Sequence, residues 1–261
     1  MIGVFDSGVG GLTVVKEIKK WLPDCPVVYF GDTARCPWGN KSPDLVKKYA
    51  DEITSFLIGQ GIKDIVIACN TASALTVDYL REKYSAINFY DVIDPVINKV
   101  RKEANAASNK KSFSVGIIGT KGTIEDGMHE RKLGEINSKI KIYAKACPLL
   151  VPLVEEGMAN HDVTKIIAKE YLDEFKDTKL DALILGCTHY PIIKDILQDN
   201  LKDVKLIDSA EETAKKIVRQ RYFSDMEKRS DVFYFSDLSI GLTKSVEDIL
   251  GRKVVIRKMI F

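Results

Sequence analysis

The chain has 261 residues, 45% of them hydrophobic and 29% charged, which is the composition of an ordinary soluble globular protein. Its 39 basic and 37 acidic side chains give a net charge of +2, so charge offers no reason to expect a nucleic acid as a partner. No stretch reaches the ~18 apolar residues of a membrane span, and the short apolar run at the start ends in Asp6, unlike a signal peptide. These features argue against a membrane partner and predict a cytoplasmic protein whose thiols stay reduced.

Short apolar runs alternate with amphipathic segments along the whole chain. Strands are predicted, in chain order, at Ile2–Phe5, Val27–Phe30, Ile65–Ala68, Asn88–Val92, Ser114–Ile118, Lys141–Ala144, Ala182–Leu185, Val204–Ile207, Val232–Phe235 and Val254–Arg257. Helices are predicted between most of these strands. Asp44–Ile58, for example, carries apolar side chains at helical spacing behind the start signal Ser42-Pro43. Strands separated by helices predict parallel pairing through right-handed crossovers, and therefore an α/β fold.

The length of the chain favours two smaller sheets over a single sheet of all these strands. The polar segment Arg101–Ser112 follows the fourth predicted strand and is rich in Asn, Ala and Lys. We therefore expect this segment to be a solvated helix end and a loop that links the two parts of the chain.

Two distant segments resemble each other, and each places a cysteine directly after a buried strand. The first reads IVIACNT around Cys69, and the second reads LILGCTH around Cys187. Because open α/β sheets bind ligands at the carboxyl ends of their strands, both thiols are predicted at the functional edge of a sheet. Asn70, Thr71 and Thr188 are good capping residues, so a helix is predicted to begin right after each cysteine. Free amides at a helix start favour a thiolate.

The other cysteines have a simpler interpretation. Cys25, Cys36 and Cys147 lack this pattern, and free cysteine is often only core filling. The five cysteines include no Cys-x-x-Cys pair, so neither a metal site nor a disulfide framework is predicted. By contrast, His189 follows Cys187 by two residues and is able to exchange a proton with it or with a substrate.

Three further strand-to-helix turns carry glycine or polar residues. Asp6–Gly11 (DSGVGG) either presents amides to an anion or a small zwitterion, or only tightens the turn. Its spacing fits neither a dinucleotide fingerprint nor a P-loop. Gly31–Asn40 is either a binding loop or a structured surface turn. Gly119–Thr123 offers hydroxyls to a carboxylate, unless Thr123 only caps the following helix.

Together these turns closely resemble the glutamate racemase family of the aspartate/glutamate racemase superfamily. The resemblance rests on Asp6–Gly11, Gly31–Arg35, Cys69–Ala72, Cys147–Leu149, Val151–Gly157 and Gly186–His189. It implies two similar α/β domains, each with a mainly parallel sheet flanked by helices, and an active site in the cleft between them. The first domain would comprise residues 1–95 and 207–261, and the second residues 96–206.

The resemblance also implies a homodimer without a cofactor that supplies D-glutamate for peptidoglycan and hence for cell shape. It places the catalytic cysteines at Cys69 and Cys187, with Asp6 and His189 as assisting groups. The substrate-binding residues that it implies are Asp6, Ser7, Trp38, Gly39, Asn70, Thr71, Thr120, Thr188 and His189. The family usually has Tyr where this chain has Trp38, so a phenol contact is lost while a backbone contact is kept.

Racemisation requires removal of a weakly acidic α-proton and return of a proton to the opposite face. One base on each side of the α-carbon achieves this without moving the substrate. Cysteine has an ordinary pKa near ~8.5, so one thiolate and one thiol coexist near neutral pH. We expect Asp6 to assist Cys69 and His189 to assist Cys187. The resemblance implies that Cys69 deprotonates the D-enantiomer and Cys187 the L-enantiomer.

Three other functions fit parts of the pattern. A related enzyme such as an aspartate racemase would use both thiols, and turnover of both acids distinguishes it. An acyl transferase or amidase built on Cys187 and His189 would leave Cys69 without a role, and a stable thioester adduct would reveal it. A non-catalytic amino-acid-binding protein would need neither thiol.

Overall fold

The computed structural model describes residues 1–107, 109–136, 139–220 and 229–261. Its strands are β1 (Ile2–Asp6), β2 (Val27–Gly31), β3 (Asp64–Ile67), β4 (Asn88–Asp91), β5 (Phe113–Gly119), β6 (Ile140–Ala146), β7 (Ala182–Gly186), β8 (Lys205–Asp208), β9 (Val232–Phe235) and β10 (Ile256–Lys258). Every predicted strand is present, and its ends differ from the prediction by at most two residues. Apolar runs located the central strands because these are buried on both faces, whereas the edge strands β4, β6, β8 and β10 are only partly buried.

The helices lie between the strands, as the alternating pattern predicts. They are α1 (Leu12–Trp21), α2 (Pro43–Gly59), α3 (Asn70–Lys83), α4 (Ile93–Ala106), α5 (Lys121–Asp126), α6 (Met128–Gly134), α7 (Leu150–Glu155), α8 (Asp162–Leu172), α9 (Lys194–Asn200), α10 (Ser209–Gln220) and α11 (Leu242–Leu250). The start signal of α2 is confirmed, since the Ser42 hydroxyl accepts from the Leu45 amide and Pro43 is the first helical residue. None of the helices described is both long and apolar enough to cross a membrane.

The strands form two separate sheets, which confirms the prediction of two small sheets. The six-stranded sheet has the order β10-β9-β2-β1-β3-β4, and the four-stranded sheet has the order β6-β5-β7-β8. All strand pairs in the described parts of both sheets are parallel. The protein is therefore an α/β protein with two parallel sheets flanked by helices. Parallel pairing brings the turns after β1, β3, β5 and β7 to the carboxyl edges of the two sheets.

Apolar packing joins the two sheets as well as covering them. One face of the six-stranded sheet is covered by α1, which packs against α10 and α11. On the other side, a single apolar cluster contains Phe5 and Ile67 of the six-stranded sheet together with Ile117 and Ile184 of the four-stranded sheet. Burial of these side chains contributes on the order of 25 cal/mol per Å² of apolar surface. The hydrophobic effect therefore holds the carboxyl edges of the two sheets close together.

The helix end expected in this segment is confirmed, because α4 continues through Ala106 before the loop begins. The residues concerned are Arg, Lys, Glu and Ala, which are strong helix formers. An ion pair between Lys99 Nζ and Glu103 Oε1 at 2.8 Å adds support at i,i+4 spacing. Lys205 Nζ also binds Glu103 at 2.6 Å and ties the helix to the second sheet. The remaining described residues of the segment form turns and bends before β5 begins at Phe113, whereas residue 108 lies outside the described residues.

His129 on α6 is buried, and neither ring nitrogen has a hydrogen-bond partner in the described parts of the chain. Burial, helped by the charge of Lys132, lowers the pKa of His129 to about 4. As the pH falls, this histidine in the unfolded chain, with its ordinary pKa of ~6.5, is therefore protonated before the buried His129 of the folded chain. The stability present at pH 7 is lost between about pH 6.5 and pH 4. Through His129, the parent protein should lose about 2 kcal/mol of unfolding free energy between pH 7 and pH 5. We expect His129→Leu to lack this loss, as measured by urea denaturation at both pH values.

His161 provides the matched control for this measurement. It is exposed, and its Nδ1 accepts from the Val163 amide at 3.2 Å to cap α8. His161→Asn keeps a capping side chain, so it controls for the removal of a histidine that is exposed rather than buried. A His129→Leu variant that still loses stability as steeply as the parent would contradict the assignment.

Candidate active site

The carboxyl edges of the two sheets face a small cavity. It is lined by Ser7, Pro37, Trp38, Gly39, Cys69, Asn70, Thr71, Thr120, Val151, Gly186, Cys187, Thr188 and His189. Its volume of about 10 Å³ holds roughly one water, so an amino acid fits only when the walls move apart. All the predicted site residues line this cavity except Asp6, which is fully buried behind its wall. In the described parts of the chain, no group of His, Cys, Asp and Glu side chains is arranged to hold a metal ion.

Cys69 lies at the start of a helix, as its sequence context predicts. It caps α3, with Sγ accepting from the Ala72 amide at 3.5 Å, and Sγ donates to Ser7 Oγ at 3.8 Å rather than to Asp6. Burial, followed by the charge of Asp6, raises the pKa of Cys69 to about 12, against the effect of both hydrogen bonds. The thiol is therefore neutral at pH 7, and a cation such as a substrate ammonium group would favour its thiolate.

Asp6 organises the glycine turn and reaches across to the other sheet. Its Oδ2 accepts from the Gly8 amide at 3.0 Å, and its Oδ1 accepts from Thr188 Oγ1 at 3.3 Å. Burial raises the pKa of Asp6, although the charge of His189 and the amides of Gly8 and Gly11 oppose this. The turn therefore directs these two amides to Asp6 itself. Asp6 thus tightens the turn, which is one of the two interpretations of this segment.

Cys187 is one end of a chain of polar contacts. Its Sγ lies 3.7 Å from His189 Nδ1, and His189 Nε2 lies 2.5 Å from Glu155 Oε1. Burial alone would lower the pKa of His189, but its hydrogen bonds to Cys187 and Glu155 raise it well above the ordinary value. Burial would raise the pKa of Glu155, but the hydrogen bond to His189 keeps it lowered. At neutral pH the two side chains form an imidazolium–carboxylate pair beside Cys187.

The helix predicted right after Cys187 was wrong. A turn follows the cysteine, then a 3₁₀ segment at Tyr190–Ile193, and only then α9. Pro191 lies in the first turn of the 3₁₀ segment, where its missing amide donor is tolerated. Cys187 therefore has His189 as its polar neighbour, whereas Cys69 has the amides of a helix start.

Three hydroxyls meet where α3 contacts α5. Thr71 Oγ1 lies 2.9 Å from Thr120 Oγ1 and 3.0 Å from Thr123 Oγ1, and the last two are 3.0 Å apart. Thr120, not Thr123, caps α5, since its side chain accepts from the Thr123 amide at 3.4 Å. Thr71 belongs to the part with the six-stranded sheet and the other two to the part with the four-stranded sheet. Such hydroxyls are able to donate to a substrate carboxylate.

Asn70 offers the cavity an acceptor. Its Nδ2 donates to Ser209 Oγ at 3.4 Å, while its Oδ1 is buried without a partner among the described residues. A buried amide oxygen without a partner costs about 1–3 kcal/mol, which a bound donor would recover. The substrate ammonium group is a donor of this kind.

Trp38 directs its indole ring into the core. The ring centroid lies 6.5 Å from that of Phe5 and 5.7 Å from that of Tyr49, and Nε1 donates to Asp32 Oδ2 at 3.1 Å. Arg35 Nε donates to the same oxygen at 2.6 Å. The indole thus anchors the loop to a buried carboxylate. Gly31–Asn40 is therefore a structured loop, as one of its two interpretations predicts, and it also supplies part of the cavity wall.

Sequence reasoning missed the roles of Glu155 and Asp32. Glu155 lies in the segment Val151–Gly157, which contributes to the family resemblance, but nothing in the sequence pairs it with His189, 34 positions away. Of the cysteines expected to be packing residues, Cys25 and Cys147 are buried, and none of the five cysteines, all within the described residues, forms a disulfide.

Gly10 is required by a close approach between the two parts of the chain. A Cβ at this position would lie 2.4 Å from Thr188 Oγ1 and 2.6 Å from His189 Nδ1, inside van der Waals contact. We expect Gly10→Ala to displace His189 and to lower kcat/KM about tenfold to 100-fold, since a shift of about 1 Å at a catalytic group costs this much. Gly59→Ala is the control, because a Cβ there meets nothing within 4 Å. Equal activity of both variants would contradict this role.

Comparison with known proteins defines the class. Residues 2–217 match the sequence model of the Asp/Glu/hydantoin racemase family. The chain therefore belongs to this family.

Relatives and solved structures narrow the comparison. The glutamate racemase of Geobacter metallireducens is 41% identical over 259 residues, covering 97% of this chain and 93% of the relative. The glutamate racemase of Aquifex pyrophilus is 42% identical over 251 residues, covering 96% and 94%. The structure of Francisella tularensis glutamate racemase in complex with D-glutamate matches with a TM-score of 0.89 at 37% identity, covering 99% of this chain and 96% of that one. Within its family the chain groups with the glutamate racemases.

Proposed function

We propose that this protein interconverts L- and D-glutamate by a two-base reaction, with Cys69 and Cys187 acting from the two sides of the α-carbon. The observation that carries this proposal is that one thiol from each sheet lines the same cavity. Glutamate as the substrate is supported by the glutamate racemases among its relatives and by the D-glutamate bound to the Francisella tularensis enzyme. An acyl transferase built on Cys187 and His189 would give Cys69 no task in this cavity.

The proposed reaction balances with the two thiols alone. From L-glutamate, the Cys187 thiolate takes the α-proton, so that a C–H bond breaks and an S–H bond forms. The electron pair stays on the α-carbon and spreads into the carboxylate, where the hydroxyls of Thr71 and Thr120 in the cavity lining are placed to donate hydrogen bonds. The Cys69 thiol then donates its proton to the opposite face and becomes the thiolate. D-glutamate reacts by the same steps in reverse.

The surroundings of the two thiols differ in a way that suits these roles. The His189 imidazolium lies 3.7 Å from Cys187 Sγ and attracts its thiolate. Burial next to Asp6 keeps the Cys69 thiol protonated. The two thiols therefore face opposite charges, the His189 imidazolium beside Cys187 and the Asp6 carboxylate near Cys69, which suits one base on each side of the α-carbon.

The wider role is proposed from the family. D-glutamate made by this reaction would serve peptidoglycan synthesis and thereby cell shape, in the cytoplasm, by a homodimer that uses no cofactor. Residues 1–95 with 207–261, and residues 96–206, are proposed as the two domains. Sheet membership supports this division, although β8 extends two residues past the second boundary.

A direct assay tests the proposal. The purified protein is dialysed against a chelator, and the circular dichroism of L- and D-glutamate is followed over time without pyridoxal phosphate or metal. We expect both enantiomers to reach the racemic mixture. Aspartate is assayed in parallel, and faster turnover of aspartate would favour the related racemase. Absence of glutamate turnover would contradict the proposed function.

A further inference from the structure

A third thiol contacts the polar chain that ends at Cys187. Cys36 is the half-buried cysteine of the loop that carries Trp38. Its Sγ donates to Glu155 Oε1 at 3.9 Å, and this is the oxygen that lies 2.5 Å from His189 Nε2. The contacts therefore run from Cys36 through Glu155 and His189 to the thiol of Cys187.

Close packing fixes the position of this thiol. A Cβ on Gly8 would lie 2.9 Å from both Cys36 Sγ and Glu155 Oε1, so the three groups meet without spare room. The Gly8 amide donates to Asp6 Oδ2 at 3.0 Å, and the Gly8 carbonyl accepts from Tyr29 Oη at 2.6 Å. These two bonds hold Gly8 in place, and Gly8 in turn supports the side chain of Cys36 against the carboxylate.

The charges around Cys36 keep it a neutral donor. Burial, followed by the charge of Glu155, raises its pKa far above the ordinary cysteine value. The groups that face the Glu155 carboxylate are the His189 ring, the Cys36 thiol and the backbone amide of Val9, with the Asp6 carboxylate near enough to feel its charge. A neutral S–H supports a carboxylate, whereas a thiolate would repel it.

We propose that Cys36 is a positioning residue, whose S–H group holds the Glu155 carboxylate and thereby orients the His189 imidazolium toward Cys187. Cys36 acts through Glu155 and is not itself a base for the substrate. The proposal rests on the two-thiol reaction proposed above. Because Cys36 acts on the side of Cys187, its loss should slow proton removal from L-glutamate more than proton removal from D-glutamate.

Overall racemisation cannot reveal this difference directly. The two enantiomers have equal free energies, so kcat/KM must be equal in the two directions for every variant. The half-reactions are separable when one catalytic thiol is removed. Cys69→Ser should retain α-proton exchange from L-glutamate through Cys187, and Cys187→Ser should retain exchange from D-glutamate through Cys69.

Cys36→Val and Cys36→Ser are introduced into each of these two backgrounds and into the parent protein. Valine keeps the volume without a donor, whereas serine keeps a donor. In deuterated buffer we expect Cys36→Val to slow exchange from L-glutamate about fivefold to tenfold, a fraction of the about 100-fold effect of a general base, and to leave exchange from D-glutamate unchanged. Cys36→Ser should retain most of the parent rate.

The pH profile of racemisation in the intact protein provides the second readout. Loss of the S–H donor raises the pKa of Glu155, so the acid limb of kcat should move to higher pH in Cys36→Val and stay in place in Cys36→Ser. Cys25→Ser, at a buried cysteine outside the cavity lining, should match the parent.

Equal slowing of both half-reactions would overturn the positioning role and indicate packing alone. The same conclusion would follow if the valine and serine variants lost activity equally and the pH profile did not move. Parent-like rates and pH profiles in both Cys36 variants would overturn it as well. Failure of the two-thiol reaction has a different signature, since Cys69→Ser would then lose exchange from L-glutamate even with Cys36 intact.

Discussion

Replacing either cavity thiol with serine is expected to lower racemisation about 1000-fold while preserving proton exchange from one enantiomer. Serine is too weakly acidic to exchange protons at neutral pH, so each variant keeps one functional base. In Cys69→Ser, Cys187 should exchange the α-proton of L-glutamate for deuterium and return it to the same face. In Cys187→Ser, Cys69 should do so with D-glutamate. Loss of the α-proton signal by NMR measures exchange, and circular dichroism measures racemisation.

The control for this experiment is Cys25→Ser, at a cysteine buried outside the cavity lining. It should retain both exchange reactions and racemisation. Equal loss of exchange from both enantiomers in a single-thiol variant would contradict the two-base assignment. Unchanged racemisation in either variant would remove that thiol from the reaction.

The two thiols are alike in sequence and different in their surroundings. Both follow a buried parallel strand and both line the cavity. Cys69 meets a helix start and the Ser7 hydroxyl, in a place where burial keeps it protonated. Cys187 meets an imidazolium that a carboxylate holds in place. The two environments therefore differ in charge, which suits a reaction whose two halves need opposite protonation states.

Much of the fold is local in origin, and the sequence reveals it. Each central strand is a short apolar run, and some helices start at a capping side chain, such as Ser42 before α2 and Thr120 before α5. The placement of both thiols follows from the same logic. Cys69 and Cys187 come directly after strands, and the carboxyl ends of parallel strands share one edge.

The parts that sequence reasoning missed depend on tertiary contacts. The bond between Thr188 and Asp6 joins residues 182 positions apart, and Glu155, the partner of His189 in the turn after β7, comes from the end of α7. No spacing rule predicts such pairs. The sequence left two interpretations of the glycine turn open, because it does not show that Asp6 folds back onto the Gly8 amide.

His189→Asn should have the second-largest effect, and it should be confined to one half-reaction. In the Cys69→Ser background we expect exchange from L-glutamate to fall about 100-fold, because the imidazolium beside Cys187 is lost. In the Cys187→Ser background, exchange from D-glutamate should change less than about threefold, since Cys69 hydrogen-bonds to Ser7 and α3 instead. His161→Asn, the same substitution at an exposed site, should have no effect in either background.

Glu155→Gln separates the charge of this pair from its geometry. The carboxylate is one of two groups that hold the pKa of His189 above its ordinary value, so the amide should let that pKa fall. A raised pKa keeps the His189 imidazolium charged as the pH rises. When this pKa is lowered, the imidazolium loses its proton at a lower pH. The alkaline limb of kcat should therefore move to lower pH in Glu155→Gln, with a smaller loss at the optimum than in His189→Asn. A limb that stays in place would show that the imidazolium charge is not required, and that His189 acts on Cys187 through geometry alone.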